Sequence, residues 1–262
     1  MADDRILPME GIRNFRDYGG YAGAEGARIK RGVLWRSGHH HEATPGDLDK
    51  VAKLGLTSVI DLRGDSERAL YPCARHPEFG AAVLYEPGET AGLSGAAAHE
   101  AAGQGVRTGA EARAAMIRLN QGMPWRSVLV ASMKLFFAEL AADRGPSLLH
   151  CVAGKDRTGL AASLAHHVLG VHPDDALEDY LLTNTATDVA GRMALGAETV
   201  RARYGPQMED DAVYALMSVA PEYIGAAHAA IRERHGNFDA YLRGVLGVDE
   251  AQQVAIRAAL LE

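Results

Sequence analysis

Ser147-Leu148-Leu149-His150-Cys151-Val152-Ala153-Gly154-Lys155-Asp156-Arg157-Thr158-Gly159 decides how this chain is read. An apolar strand pattern, Ser147 to His150, leads into a cysteine that stands five residues ahead of an arginine. A helix pattern then runs from Thr158 to Leu169, with Leu160, Leu164 and Val168 on one face and Gly170 as its stop. A short loop curled between a strand end and a helix start turns successive backbone N–H groups inward, and the helix N-terminus adds partial positive charge. The expected product is a cradle for a tetrahedral anion with a sulfur nucleophile at its floor.

Each residue type in the string suits that chemistry. Val152, Ala153, Gly154 and Lys155 supply main-chain donors, and Gly154 lets the loop turn where a side chain would obstruct it. Donors that hold phosphate also favour a thiolate, so Cys151 is expected to act in its ionised form. Arg157 offers a planar fork for two phosphate oxygens. Thr158 can donate its hydroxyl to the sulfur, and His150 braces the loop rather than acting as a base, because a thiolate needs none.

The full string, with its strand and helix, resembles the signature of cysteine-dependent protein tyrosine and dual-specificity phosphatases. More closely, the chain resembles the bacterial atypical tyrosine phosphatases that also act on phosphoinositides. Asn14-Phe15-Arg16-Asp17-Tyr18-Gly19-Gly20-Tyr21, Leu34-Trp35-Arg36-Ser37 and Val59-Ile60-Asp61-Leu62-Arg63 with Glu67 add to the likeness. Asp179-Tyr180-Leu181-Leu182-Thr183-Asn184, Pro221-Glu222-Tyr223 and Tyr241-Leu242 extend it over most of the chain. The resemblance implies hydrolysis of phosphotyrosine, and of phosphoserine, phosphothreonine or phosphoinositides, through a phosphocysteine intermediate without metal or cofactor. It also implies that Asp156, immediately before the loop arginine, is the general acid and base, since no aspartate stands between Asp65 and Asp143 to serve from a separate loop. Against that stands a plain helix cap at Asp156. Asp61 is the reserve acid, with an ion pair to Arg63 or Arg157 as its alternative role. Lys155 is expected to favour a second phosphate and Arg63 to assist substrate binding or brace Glu67. Arg16, Asp17 and Arg36 read as structural ion pairs.

Composition sets limits around this. The 262 residues suffice for one domain with a substantial core, and a net charge of -7 without a basic stripe argues against nucleic acid. Two cysteines, Cys73 and Cys151, suit a reducing compartment, and no apolar run approaches bilayer length. The expectation is a cytoplasmic protein without membrane insertion, although export lacking a signal peptide stays open. Cys73 reads as an inert thiol, with an oxidative disulfide to Cys151 as the sharper alternative. His39-His40-His41-Glu42 reads as a polar loop, since adjacent side chains diverge too far for shared metal ligation.

Thr44-Pro45 opens a helix that Gly55 closes ahead of a strand from Thr57 to Arg63, and a second strand is expected from Ala81 to Tyr85. An amphipathic helix follows over Trp125 to Ala142, and helices over Asp174 to Thr185, Gln207 to Ser218, Pro221 to His235 and Asp249 to Leu261. The alternation predicts an α/β fold, a mostly parallel twisted sheet flanked by helices with a helical C-terminal region. Ala91 to Gly122, rich in alanine and glycine with Arg107, Arg113 and Arg118, is the candidate for a cover over the site, an ordinary helix and loop being the alternative. Two other function classes remain: a sulfurtransferase or arsenate-reductase-like enzyme, and a phosphate-binding module without turnover.

Overall fold

The computed structural model of the protein describes residues 3–90 and 105–262. Strands β1 (Arg16–Asp17), β2 (Leu34–Ser37), β3 (Ser58–Asp61), β4 (Ala82–Leu84) and β5 (Ser147–His150) form one sheet in the order β1-β2-β5-β3-β4. Only β1 runs antiparallel; β2, β5, β3 and β4 are mutually parallel. Register fixes the location of the site. His150 pairs with Ser37 on one side and Asp61 on the other, so the loops leaving β2, β5 and β3 emerge together at one carboxyl edge, where ligands of open parallel sheets bind.

Both faces of the central strands are covered. Val59 and Leu148 point to one face, where Ile12, Phe15 and Val51 of α1 (Pro45–Ala52) join them. Ile60 and Leu149 point to the other, into the main core with Met133, Phe136 and Leu140 of the helix over 127–142 and Leu160 and Leu164 of the helix over 156–168. Helix α1 begins as its sequence predicts: the Thr44 hydroxyl accepts from Asp47 N–H and the Asp47 carboxylate accepts from Thr44 N–H, both at 3.2 Å.

The remaining helices are α2 (Asp65–Leu70), α3 (Gly109–Gly122), α4 (Ser127–Ala142), α5 (Asp156–Val168), α6 (Pro173–Ala186), α7 (Val189–Tyr204), α8 (Asp210–Met217), α9 (Pro221–His235), α10 (Phe238–Tyr241) and α11 (Glu250–Leu260). Most match the expected segments to within a few residues. Helix α7 does not: the sequence pattern predicts no helix between Thr185 and Gln207, whereas one runs over Val189–Tyr204. Its Ala197 packs with Val106, Ala112, Ala115, Met208, Ala212 and Val213 into a separate small cluster with α3 and α8. The first part of the candidate cover, 91–104, lies outside the described residues. From Gly109 onward that segment is a capped helix whose Met116 and Leu119 are buried in the main core.

Candidate active site

Residues Cys151 to Lys155 leave β5 and enter α5 at Asp156, and the loop's carbonyl groups are held from outside. Val152 O accepts from His39 N–H at 2.9 Å, and Gly154 O accepts from Asn14 Nδ2 at 2.7 Å and Arg36 Nη2 at 3.0 Å. Asn14 also reaches Ala153 O at 3.4 Å, and His150 Nδ1 lies 3.3 Å from Cys151 O. Gly154 adopts φ +65° with its α-carbon pressed against the Ser37–Gly38 backbone, where any Cβ would collide. With their carbonyls turned outward, the N–H groups of Val152, Ala153, Gly154 and Lys155 have no partner among the described residues. They are the donors an anion would meet.

Behind the loop, buried charge sets its position. Asp179 of α6 joins Arg36 Nη1 at 2.6 Å and Arg16 Nε at 3.1 Å, and Arg16 in turn holds the Asn14 side chain that grips Gly154. All four residues are buried. The two guanidinium groups keep the Asp179 carboxyl well below the ordinary range, against the opposing effect of burial. Asp17 accepts from Gly19 and Gly32 N–H, both at 2.7 Å, and pairs with Arg31 Nε at 3.0 Å. Arg16, Asp17 and Arg36 are thus structural, as their sequence context suggested.

Arg157 is buried and tied down along one edge. Its Nη1 donates to Glu67 Oε2 at 2.5 Å and Thr90 Oγ1 at 2.7 Å, and its Nη2 to Glu67 Oε1 at 2.8 Å. Nη1 also reaches Leu62 O at 3.3 Å, and of the guanidinium's five N–H donors the Nε–H and the second Nη2–H have no partner among the described residues and form a fork on the free edge. Burial opposes the charge, yet Glu67 and then Cys151 raise the arginine's pKa above its ordinary value. Glu67 is in turn anchored by Gly64 N–H at 3.0 Å.

Cys151 is buried beside this guanidinium, and Thr158 Oγ1 is buried with no hydrogen-bond partner among the described residues. The expected hydroxyl-to-sulfur bond is therefore not formed, and Thr158 sits in the first turn of α5. Asp156 is the first residue of α5, with Lys155 at the N-cap position. Its Oδ1 lies 3.5 Å from Asn120 Nδ2 of α3 and its Oδ2 lies 3.7 Å from Lys155 Nζ. Lys155 departs from a solvated lysine: it is buried, and Nζ donates to the Leu216 carbonyl of α8 at 2.7 Å. The ammonium ties the loop to the C-terminal helices.

Asp61 and Arg63 pair with one another, Nε to Oδ1 at 2.8 Å and Nη2 to Oδ2 at 2.7 Å, and Arg63 also donates to Tyr71 O. Asp61 therefore serves Arg63, while Glu67 serves Arg157. His150 is fully buried and its pKa falls to about 4, burial outweighing the pull of Asp61 3.7 Å away, which leaves the ring neutral. The three adjacent histidines diverge: His39 stacks on Tyr71, His40 is buried between Ser37 and Arg75, and His41 meets Pro72 O. His40 is thus a core residue and not part of a polar surface loop. No group of three or more candidate metal ligands occurs among the described residues. Cys73 accepts from His40 N–H at 3.4 Å and is a free thiol, as is Cys151.

Glu67, Thr90, Asn120 and Leu216 are contributors whose roles the sequence did not reveal. Glu67 carried a signal, its place four residues after Arg63 in a motif already singled out; Thr90 and Asn120 carried none.

Comparison with known proteins places the chain. The profile of the tyrosine phosphatase family matches residues 7–262. A protein of Cupriavidus necator named as a tyrosine-protein phosphatase is 35% identical over 252 residues, spanning 94% of this chain and 86% of that protein. The triple specificity protein phosphatase PtpB of Mycobacterium tuberculosis is 28% identical over 281 residues, spanning 98% of this chain and 99% of its own length. Among solved structures, TpbA of P. aeruginosa aligns with a TM-score of 0.33 and 18% identity over 76% of this chain and 96% of its own.

Proposed function

This chain belongs to the tyrosine phosphatase family, and on that premise we propose that Cys151, Arg157 and Asp156 hydrolyse phosphotyrosine by way of a phosphocysteine. The observation that carries the assignment is the free edge of Arg157, left by Glu67 and Thr90 and set beside a buried cysteine and a ring of unpartnered amides. The phosphoryl group sits on those amides and on the Nε/Nη2 fork. The Cys151 sulfur attacks phosphorus as the ester oxygen departs, and Asp156 supplies the proton that oxygen needs. Water then attacks the phosphocysteine, Asp156 takes its proton, and Thr158 donates to the leaving sulfur. Charge on the equatorial oxygens meets donors fixed before the substrate arrives, the arrangement that most lowers the barrier to phosphoryl transfer.

The name of the triple specificity relative supports a range wider than phosphotyrosine alone; the motif resemblance extends the proposal to phosphoserine, phosphothreonine and phosphoinositides. Among the described residues no helix is long and apolar enough to cross a membrane.

Cys151→Ser is expected to lower para-nitrophenyl phosphate turnover by on the order of 10,000-fold while still binding substrate. Asp156→Ala is expected to lower kcat by about 100-fold or more, and most for poor leaving groups. Turnover retained in Cys151→Ser overturns the nucleophile, and an unchanged leaving-group dependence in Asp156→Ala overturns the acid.

A further inference from the structure

The cations around the loop are mostly matched by carboxylates. Arg157 has Glu67, Arg63 has Asp61, Arg16 and Arg36 share Asp179, and Lys155 lies 3.7 Å from Asp156. Arg126 has no such match. Its Nη2 donates to the Leu119 carbonyl oxygen at 3.2 Å, and no carboxylate among the described residues lies within ion-pair distance.

Two contacts show where this guanidinium stands. Leu119 immediately precedes Asn120, whose side chain lies 3.5 Å from Asp156. On the other side Val128, in the first turn of α4, packs against Gly88, where a Cβ would meet Val128 Cγ2 at 3.0 Å. Two residues past Gly88, Thr90 accepts from Arg157. Arg126 is therefore tied to the segment that touches Asp156 and stands two residues before the valine packed on the segment that carries Thr90. The side chain is partly exposed. Its ionisation reflects the same neighbours: burial and then the Arg157 charge push its pKa down to about 10, against the pull of Asp156 and Glu67. It stays cationic at neutral pH.

The loop amides and the free edge of Arg157 already supply donors for one phosphoryl group, so a further cation at the rim suits a different anion on the same substrate. Resting on the phosphatase reading, we propose that Arg126 is a specificity-determining residue that receives the carboxylate of an acidic residue flanking the phosphotyrosine in a peptide. A guanidinium whose one hydrogen-bond partner among the described residues is a carbonyl oxygen keeps the fork that a carboxylate fits. A second phosphate dianion would need more charge than this rim offers, because the Lys155 ammonium is directed to the Leu216 carbonyl and Asp156.

The test compares two phosphotyrosine peptides that differ only in Glu or Gln at the flanking positions. Wild type is expected to favour the acidic peptide in kcat/KM by about tenfold, the effect of one charge-assisted hydrogen bond worth about 1.4 kcal/mol. The preference should fall to near one in Arg126→Gln, invert in Arg126→Glu and survive in part in Arg126→Lys. In wild type, which needs no variant to fold, it should also shrink as salt rises from about 0.05 to 0.5 M. A wild type active on both peptides without preference, a preference that persists in Arg126→Gln, or a salt-insensitive ratio overturns the proposal. So does an equal loss on both peptides, which would place Arg126 on the transferred phosphoryl group. A loss confined to bisphosphorylated over monophosphorylated inositol lipid in vesicles overturns it in favour of a lipid phosphate. Wild type inert on both peptides removes the phosphatase reading itself, and this inference with it.

Discussion

On the sheet side of the phosphate loop, position is set by buried charge: Arg16 and Arg36 share Asp179, and Asn14 and Arg36 hold the Gly154 carbonyl. On the helical side, α3, α7 and α8 meet through alanines, Val106, Val213 and Met208, and their ties to the loop are the Lys155–Leu216 hydrogen bond and the Asn120–Asp156 contact. The first region relies on a few directional bonds in a site that water does not reach, so losing one partner leaves its neighbours with unmet charge. The second relies on many shallow contacts, each of small value. Loop geometry should therefore be fragile to single changes on one side and tolerant on the other.

The contrast is tested most severely at Asp179. Asp179→Ala leaves two buried guanidinium groups without a counter-charge and is expected to cost about 3–5 kcal/mol in urea unfolding. A loss below about 0.5 kcal/mol would show that the network does not hold this side together.

Acid sharpens the comparison, because a neutral histidine occurs on each side, one buried and one half-buried. His150 behind the loop and His228 in α9 each have a pKa pushed down to about 4, in both cases chiefly by burial. Their unfolded counterparts titrate near 6.5, so between about pH 6.5 and 4 the unfolded chain binds more protons than the folded one. The stability they contribute is complete above pH 6.5 and is lost as pH falls toward 4, by about 3 kcal/mol for the fully buried His150 ring and by less for the half-buried His228. Urea midpoints measured from pH 7 to pH 4 should fall accordingly, and His228→Gln should flatten only its own share of the slope. A midpoint that does not move across this window would contradict the neutral state of both rings.

The smallest effect is expected in the alanine cluster. Ala115→Gly, at a buried position inside α3, should cost about 1–2 kcal/mol through helix propensity and one lost methyl group, with kcat/KM unchanged. A substantial loss of activity at full folding would show that the helical side sets the loop as strictly as the sheet side does.

What the sequence revealed follows the same division. The strand–loop–helix string was readable because its signals are local: β-pattern, cysteine, glycine, arginine and helix periodicity lie within about 20 residues of one another. The helix opened by Thr44-Pro45 was readable for the same reason. Glu67 as the partner of Arg157 stands 90 positions away, and Asp179 as the partner of Arg16 stands 163 positions away. Side chains joined across such separations leave no periodic trace. Helix α7 has a weak pattern: Gly191 and Gly196 interrupt it, and among the described side chains its buried apolar contribution is Val189 and Ala197, with Met193 and Val200 partly covered. In the candidate cover, Thr108 and Glu111 form a capping box that marks the start of α3. That signal was present, and the alanine and glycine around it obscured it.

The outward fastening of the loop carbonyls has a consequence for the end of each turnover. Amides already aimed at the centre need little rearrangement to receive a tetrahedral oxyanion, and nothing in the loop distinguishes an ester from the free ion it becomes. On the proposed mechanism, orthophosphate liberated by one cycle competes with the next ester for the same seat, so accumulating product is expected to slow turnover and choice among esters to fall to groups at the rim.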